Sequence, residues 1–194
     1  MSQSFFALIS RMRYIGRWGL MRNSLPENIQ EHSHMVAVIA HSLAVIGRDV
    51  YGKSTDPDKC ATAALFHDAS EILTGDLPTP IKYNNEAIQS SYKDIEQKAC
   101  EKLLALLPDE LKASYRPLLL DTDAETYSYV KAADKLSAYI KCIEERKAGN
   151  NEFISAEQQI LGILRSNPLP EVDYFIQNFI PAFELTLDEL GTMD

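Results

Sequence analysis

Apolar residues recur at steps of three and four along most of this chain, and no alternating strand pattern competes with them. In Asn28–Val50, the positions Val36, Ile39, Ala40, Leu43 and Ile46 mark one face of a long helix. Asp56 followed by Pro57 supplies an N-cap and a first-turn proline. They open a predicted helix that runs through Ala61, Ala64 and Leu65 to about Leu73. Gly75 stops it, and TGDLPTP (Thr74–Pro80) reads as an ordered loop. Two helices are predicted around Asn85–Leu107 and Asp109–Leu119. Asp123–Ala148 carries Val130, Ala133, Leu136, Ile140 and Ile143 on one stripe, with Gly149 as its stop. Glu152–Leu164 and Pro170–Leu190 add amphipathic pieces rich in aromatics. The pattern predicts a single all-α domain over residues 1–194.

Composition narrows the class. With 45% hydrophobic and 24% charged residues, the chain is an ordinary folding sequence of 194 residues, large enough for a real core. No run approaches the ~18 apolar residues of a membrane span. The FFALI run at Phe5–Ile9 is too short for a secretory signal core, and arginines follow it rather than precede it. Cys60, Cys100 and Cys142 are odd in number and widely spaced, so neither a disulfide framework nor a zinc knuckle is expected. A cytoplasmic protein with buried thiols is the expectation.

The net charge of −9 is unevenly spread. Residues 1–26 hold Arg11, Arg13, Arg17 and Arg22 and no acid, whereas the remainder is strongly acidic. An acidic body argues against a nucleic-acid polymer as partner, because a phosphate backbone demands a broad basic surface. A local anion site near the arginines stays open.

Four histidines are present: His32, His34, His41 and His67. On a helix His34 and His41 lie ~20° apart and face away from His32, so one site takes at most one of these faces. His34 and His41 read as structural or solvent-facing. The strongest local signal is His67-Asp68 within HDASE. On a continuing helix, His67 and Glu71 are four apart and Asp68 and Glu71 three apart, so all three look into one cleft. The apolar ATAALF before them sets this turn at the edge of a core, where polar groups must be paired or metal-bound. His32 in EHS and Asp134, inside the apolar stripe VKAADKLSAYI, complete a set that can hold one cation and leave positions for water and substrate. Asp134 also admits another reading, as a core carboxylate paired to Lys131 or Lys135.

The order His32, His67-Asp68, Asp134 resembles the HD-domain phosphohydrolase superfamily. RWGLMRN (Arg17–Asn23), PENIQEHS (Pro26–Ser33), HDASEILTGDLPTPIKY (His67–Tyr83), KAADKLSAYIKCIEE (Lys131–Glu145) and NNEF (Asn150–Phe153) narrow the likeness. Together they resemble the bacterial HD-domain 5′-deoxynucleotidases of the YfbR type, over essentially the whole chain. The resemblance implies an HD-type helical bundle. It implies His32, His67, Asp68 and Asp134 as metal ligands, Arg17 orienting the substrate phosphate, Trp18 in the nucleotide pocket and Glu71 as a catalytic carboxylate. His32 and Asp68 also border the substrate. Asp76 with Leu77, Pro78 and Thr79 is implied to contact the deoxyribose. The implied cofactor is one divalent transition metal, cobalt or manganese. The implied substrate is a deoxyribonucleoside 5′-monophosphate, and the implied assembly a homodimer.

The chemistry fits those residue types. A phosphomonoester repels nucleophiles by its own charge, so a cation and a planar, permanently charged arginine are suited to it. Glu71 relays a proton, either from water or to the leaving 5′-oxygen, and the sequence leaves both roles standing. Asp76 is either the partner of the 3′-hydroxyl or a turn residue after Gly75. Trp18 is either a pocket wall or a core filler. Lys82 and Tyr83 adjoin the loop. The alternatives in function are another HD nucleotide phosphohydrolase and a non-catalytic nucleotide-binding module.

Overall fold

The computed structural model describes residues 3–82 and 85–191, with the side chain of Thr79 left out. Among the described residues the regular structure is helical, with one isolated bridge between Gly16 and Asn28. The helices are α1 (Phe5–Ile9), α2 (Ile29–Asp49), α3 (Pro57–Phe66), α4 (Glu71–Thr74), α5 (Thr79–Lys82), α6 (Glu86–Ala105), α7 (Asp109–Leu119), α8 (Ala124–Lys147), α9 (Ile154–Arg165) and α10 (Pro170–Asn178). None of them is long and apolar enough to cross a membrane.

Local chemistry sets most of the boundaries. Asn28 opens α2 with a capping box: its side chain accepts from Gln30 and Glu31, and the Glu31 carboxylate reaches back to the Asn28 N–H. Asp56 caps α3, Asn85 caps α6 and Asp123 caps α8, each side chain accepting from the backbone N–H three residues on, without the reciprocal bond. The stripes read from the sequence meet in one core. Val36, Ile39, Ala40 and Leu43 of α2 pack against Val130, Ala133, Leu136 and Ile140 of α8 and Ala63 and Ala64 of α3. Each Val, Leu or Ile side chain among them contributes about 1.5–3 kcal/mol by leaving water. A smaller cluster of Phe5, Ala69, Leu103, Leu104 and Leu107 ties α1 and α6 to the end of α3.

Two predicted boundaries are corrected, and the tail is resolved into its pieces. The helix expected to reach Leu73 ends at Phe66, and residues 67–70 form a turn before the single turn of α4. Here the backbone bonds switch from the i−4 to the i−3 carbonyl, as in Ala69 N–H to Phe66 O and Glu71 N–H to Asp68 O, both 3.0 Å. The His67 ring meanwhile engages the Ala64 carbonyl at 2.7 Å, the acceptor a continuing α-helix would give to Asp68. In the Thr74–Pro80 segment, Gly75 at φ 73° ends α4 as expected, but α5 begins at Thr79. Pro170–Leu190 divides into α10 and a 3₁₀ turn at Ile180–Glu184, because Pro181 offers no N–H to continue α10.

Candidate active site

The site lies where the first turn of α2, the turn after α3, and the middle of α8 converge. His32 is fully buried. Its Nε2 stands 3.0 Å from Asp134 Oδ1 and 3.7 Å from Asp68 Oδ2, while its Nδ1 meets Ser137 Oγ at 3.2 Å. His67 donates from Nδ1 to the Ala64 carbonyl at 2.7 Å, which leaves Nε2 as the nitrogen with a free lone pair. That Nε2 is buried, forms no hydrogen bond of good geometry, and stands 3.1 Å from Asp68 Oδ2. Ligand atoms of His32, His67 and Asp68 all lie within 4.8 Å of one another. Two imidazole nitrogens and the Asp68 carboxylate gathered this closely, one nitrogen orphaned, fit a single divalent cation, and Asp134 joins them only through its 3.0 Å contact with His32. Asp134 Oδ2 also meets Lys135 Nζ at 3.3 Å, so the lysine pairing and the histidine contact coexist on different oxygens.

The electrostatics follow from burial and mutual charge. Burial favours the neutral imidazole of His32 and lowers its pKa, the form a cation needs. For His67 burial works the same way, but the adjacent Asp68 outweighs it and the pKa rises. Burial opposes the charge on Asp68 as well, and the His67 imidazole overcomes it to hold that carboxyl well below its usual range. Asp134 is also depressed, its burial outweighed by the hydrogen bond with His32 and the charge on Lys135. Glu71 behaves oppositely. It is buried, its Oε2 has no partner, and burial with the charges of Asp68 and Asp76 pushes its carboxyl up to about 9. Burial also raises Asp76.

Arg17 comes from the loop between α1 and α2. Its Nε meets Glu27 Oε2 at 3.0 Å and one terminal nitrogen approaches Asp68 Oδ2 at 3.5 Å. Burial disfavours its charge, but Asp68, Asp134, Glu27 and Asp76 more than compensate and raise its pKa. Trp18 next to it has φ 59°, a left-handed backbone that costs a bulky residue about 1–2 kcal/mol. Its backbone N–H faces the Asp76 carboxylate and its ring packs on Phe153, with centroids 5.2 Å apart.

A cleft of about 810 Å³ opens over these groups, of a size suited to a nucleotide. Arg17, His67, Asp68, Glu71, Asp76, Leu77 and Asp134 line it. The Trp18 and Pro78 side chains do not, and His32 sits behind the carboxylates. The Thr79 side chain and Tyr83 lie outside the described residues. His34 and His41 are exposed and far from the cleft lining, and His41 pairs loosely with Asp58 at 3.8 Å. The opposite wall was not legible in the sequence: Gln89, Lys93 and Gln97 of α6, Arg116 of α7 and Tyr127 of α8 line it. Their polar character on otherwise ordinary helix faces carries no local mark of a site.

The fold is shared with solved structures of HD-domain proteins. An HD-domain phosphohydrolase from Listeria innocua superposes with a TM-score of 0.81 at 23% identity, covering 97% of this chain and 95% of that one. A cyanophage S-2L HD phosphohydrolase bound to dA and one catalytic Zn²⁺ has a TM-score of 0.62 at 21% identity, covering 93% and 96%. The helical core thus has the fold of these HD-domain structures. The family model of YfbR-like 5′-deoxynucleotidases matches residues 4–183. A 5′-deoxynucleotidase of Shewanella oneidensis is 49% identical over 190 residues, covering 97% of each chain, and one of Cronobacter sakazakii is 50% identical over 195 residues, covering 98% of each. The chain belongs to the YfbR-like 5′-deoxynucleotidase family.

Proposed function

We propose that this protein hydrolyses the phosphate ester of deoxyribonucleoside 5′-monophosphates, in preference to ribonucleotides, with one divalent cation held by His32, His67, Asp68 and Asp134. The observation that carries the reading is the orphaned, buried Nε2 of His67, set among carboxylates in the same cleft as Arg17 and Glu71. When bound, the cation supplies Lewis acidity, offsetting phosphate charge and acidifying water. The mixed nitrogen and oxygen donors suit a first-row transition ion, and cobalt or manganese is the expected occupant.

The remaining work belongs to the chain. Arg17 grips phosphate oxygens with the terminal nitrogens that its Glu27 contact leaves available. Glu71 holds a proton at neutral pH through its burial and its acidic neighbours. That supports donation to the leaving 5′-oxygen. A cation beside Asp68 draws the value down, so the same carboxyl can also accept from water. Asp76 accepts from the 3′-hydroxyl and sets the sugar against Leu77, with the backbone of Pro78 and Thr79 stiffening that wall. Trp18 contributes through its backbone and through the loop that it anchors. His32 and Asp68 bound the substrate phosphate from below. A homodimer in the cytoplasm is the expected working form; the thiols of Cys60, Cys100 and Cys142 are free, as suits a reducing compartment.

The test reloads metal-stripped protein with cobalt, manganese, magnesium or zinc. Phosphate release is then followed from deoxy- and ribonucleoside monophosphates, triphosphates and cyclic nucleotides. Release from deoxynucleoside monophosphates well ahead of every other class is expected. Equal rates on ribo- and deoxy-forms would reject the sugar preference, and binding without release in every metal would reject turnover.

A further inference from the structure

Glu27 has no place in the cleft lining, yet it touches both residues of the Arg17-Trp18 pair. A single oxygen, Oε2, accepts from Arg17 Nε and from Trp18 Nε1, each at 3.0 Å. The backbones are paired as well: Arg17 N–H donates to the Glu27 carbonyl at 2.9 Å, and Ile29 N–H to the Ile15 carbonyl at 3.0 Å. Glu27 stands one residue before Asn28, whose capping box fixes the start of α2, and α2 carries His32. Through this chain of contacts the arginine is referenced to the helix of a proposed metal ligand.

Trp18 depends on the same carboxylate oxygen. A bulky residue stays at φ 59° only where its surroundings over-determine it. The restraints visible here are the indole bond to Glu27, the ring contact with Phe153 and the backbone N–H directed at Asp76. Removing the Glu27 carboxylate takes away the oxygen shared by the side chains of residues 17 and 18. It also frees Arg17 Nε, so the guanidinium can rotate toward Asp68, already 3.5 Å away, and present the wrong edge to phosphate.

We propose that Glu27 is the positioning residue of the phosphate-binding arginine, its one carboxylate oxygen orienting the Arg17 fork and locking the Trp18 turn. The proposal rests on the phosphomonoesterase reading above, so the test keeps the two separable. Glu27→Ala, Glu27→Gln, Arg17→Ala and the Arg17→Ala/Glu27→Ala double variant are compared well below their melting temperatures. Substrates are a deoxynucleoside 5′-monophosphate and, in parallel, p-nitrophenyl phosphate.

For Glu27→Ala we expect kcat/KM to fall about 30–100-fold, the cost of misplacing a binding group by about an ångström. KM should rise at least about fivefold, whereas a purely structural loss would shrink the active fraction and leave KM unchanged. Glu27→Gln, which keeps a carbonyl acceptor, should fall between Glu27→Ala and wild type. The double variant should match Arg17→Ala within about twofold, because the two residues act as a unit. Trp18 is the chain's only tryptophan, so its emission should shift to the red and quench more readily with acrylamide in Glu27→Ala. An unchanged KM, unchanged emission, or a full further loss on adding Glu27→Ala to Arg17→Ala would each overturn the proposal. If Glu27→Ala does not fold, Glu27→Gln decides by the same criteria. Wild-type protein that cleaves ribo- and deoxynucleotides alike would reject the sugar preference and leave the Glu27 result standing. Wild-type protein that cleaves neither substrate would reject the function, and the emission change would then judge Glu27 alone.

Discussion

The Glu145 carboxylate on α8 should prove to be the largest single polar contributor to the stability of the N-terminal loop. It is buried and accepts from Ser24 N–H at 2.8 Å, Leu25 N–H at 3.2 Å, Asn150 Nδ2 at 2.8 Å and Lys141 Nζ at 2.5 Å. Burial alone would raise its pKa; the hydrogen bonds from Lys141, Asn150, Ser24 and Leu25 outweigh that and bring it from 4.5 down to about 2. Discounted for screening at the neighbouring exposed turn, this corresponds to about 2–3 kcal/mol. Glu145→Gln removes the charge at constant shape and leaves the buried Lys141 ammonium without its counter-charge, though still bonded to the Leu25 carbonyl at 2.6 Å. Breaking such a pair costs about 3–5 kcal/mol, so about 3 kcal/mol is expected, a drop in Tm of about 6–12 °C. Adding Lys141→Met should recover about half of the loss, since no unpaired charge then remains.

The pH dependence carries a sign. A folded value below the unfolded one gives stability that is complete above about pH 5 and lost as pH falls toward 2. The difference between wild type and Glu145→Gln in urea unfolding should therefore shrink steadily from pH 5 to pH 3. A difference below 1 kcal/mol at pH 7, or one that does not change with pH, would refute the reasoning.

Three further outcomes follow from the geometry. His32→Ala and Asp134→Ala should each weaken binding of cobalt or manganese at least 100-fold by calorimetry, with helical content retained in circular dichroism. Asp76→Asn should lower the deoxy-to-ribo ratio of kcat/KM several-fold; an unchanged ratio together with an unchanged KM would leave Asp76 as only a turn residue. Gly47→Ala should destabilise by about 1–3 kcal/mol in denaturant unfolding, because its Cβ would come within 2.7 Å of Glu171 Oε1 and the Tyr129 hydroxyl. Neither neighbour can yield cheaply: Glu171 is fully buried and bonded to Tyr129 at 2.8 Å and Lys53 at 2.6 Å.

Part of the C-terminal segment packs inward: Val172, Phe175 and Ile180 join the main core, and the carboxylate of Glu171 goes inside with them. An acid at that point in the sequence looks like any solvated helix residue. The arrival of Lys53 from the loop after α2 and Tyr129 from α8 makes its burial tolerable.

The amphipathic stripes of α2 and α8, the cap of α3 at Asp56, and the stops at Gly75 and Gly149 were legible from the sequence because each depends on residues a few positions apart. So was the grouping of His32, His67 and Asp68, whose ligand atoms lie within 4.8 Å of one another. The spacing argument for His67 and Glu71 assumed a helix that ends at Phe66, and the turn that replaces it arises from a side-chain bond back to Ala64. Only the tertiary structure brought α6 and α7 over the cleft, joined Glu27 to Arg17 and Trp18, and clamped Ser24 and Leu25 onto Glu145 across some 120 residues of chain. A carboxylate's sequence neighbours say whether it can cap a helix. They do not say which distant backbone amides or guanidinium it will face, because that is fixed by how the cores of α2, α3 and α8 pack.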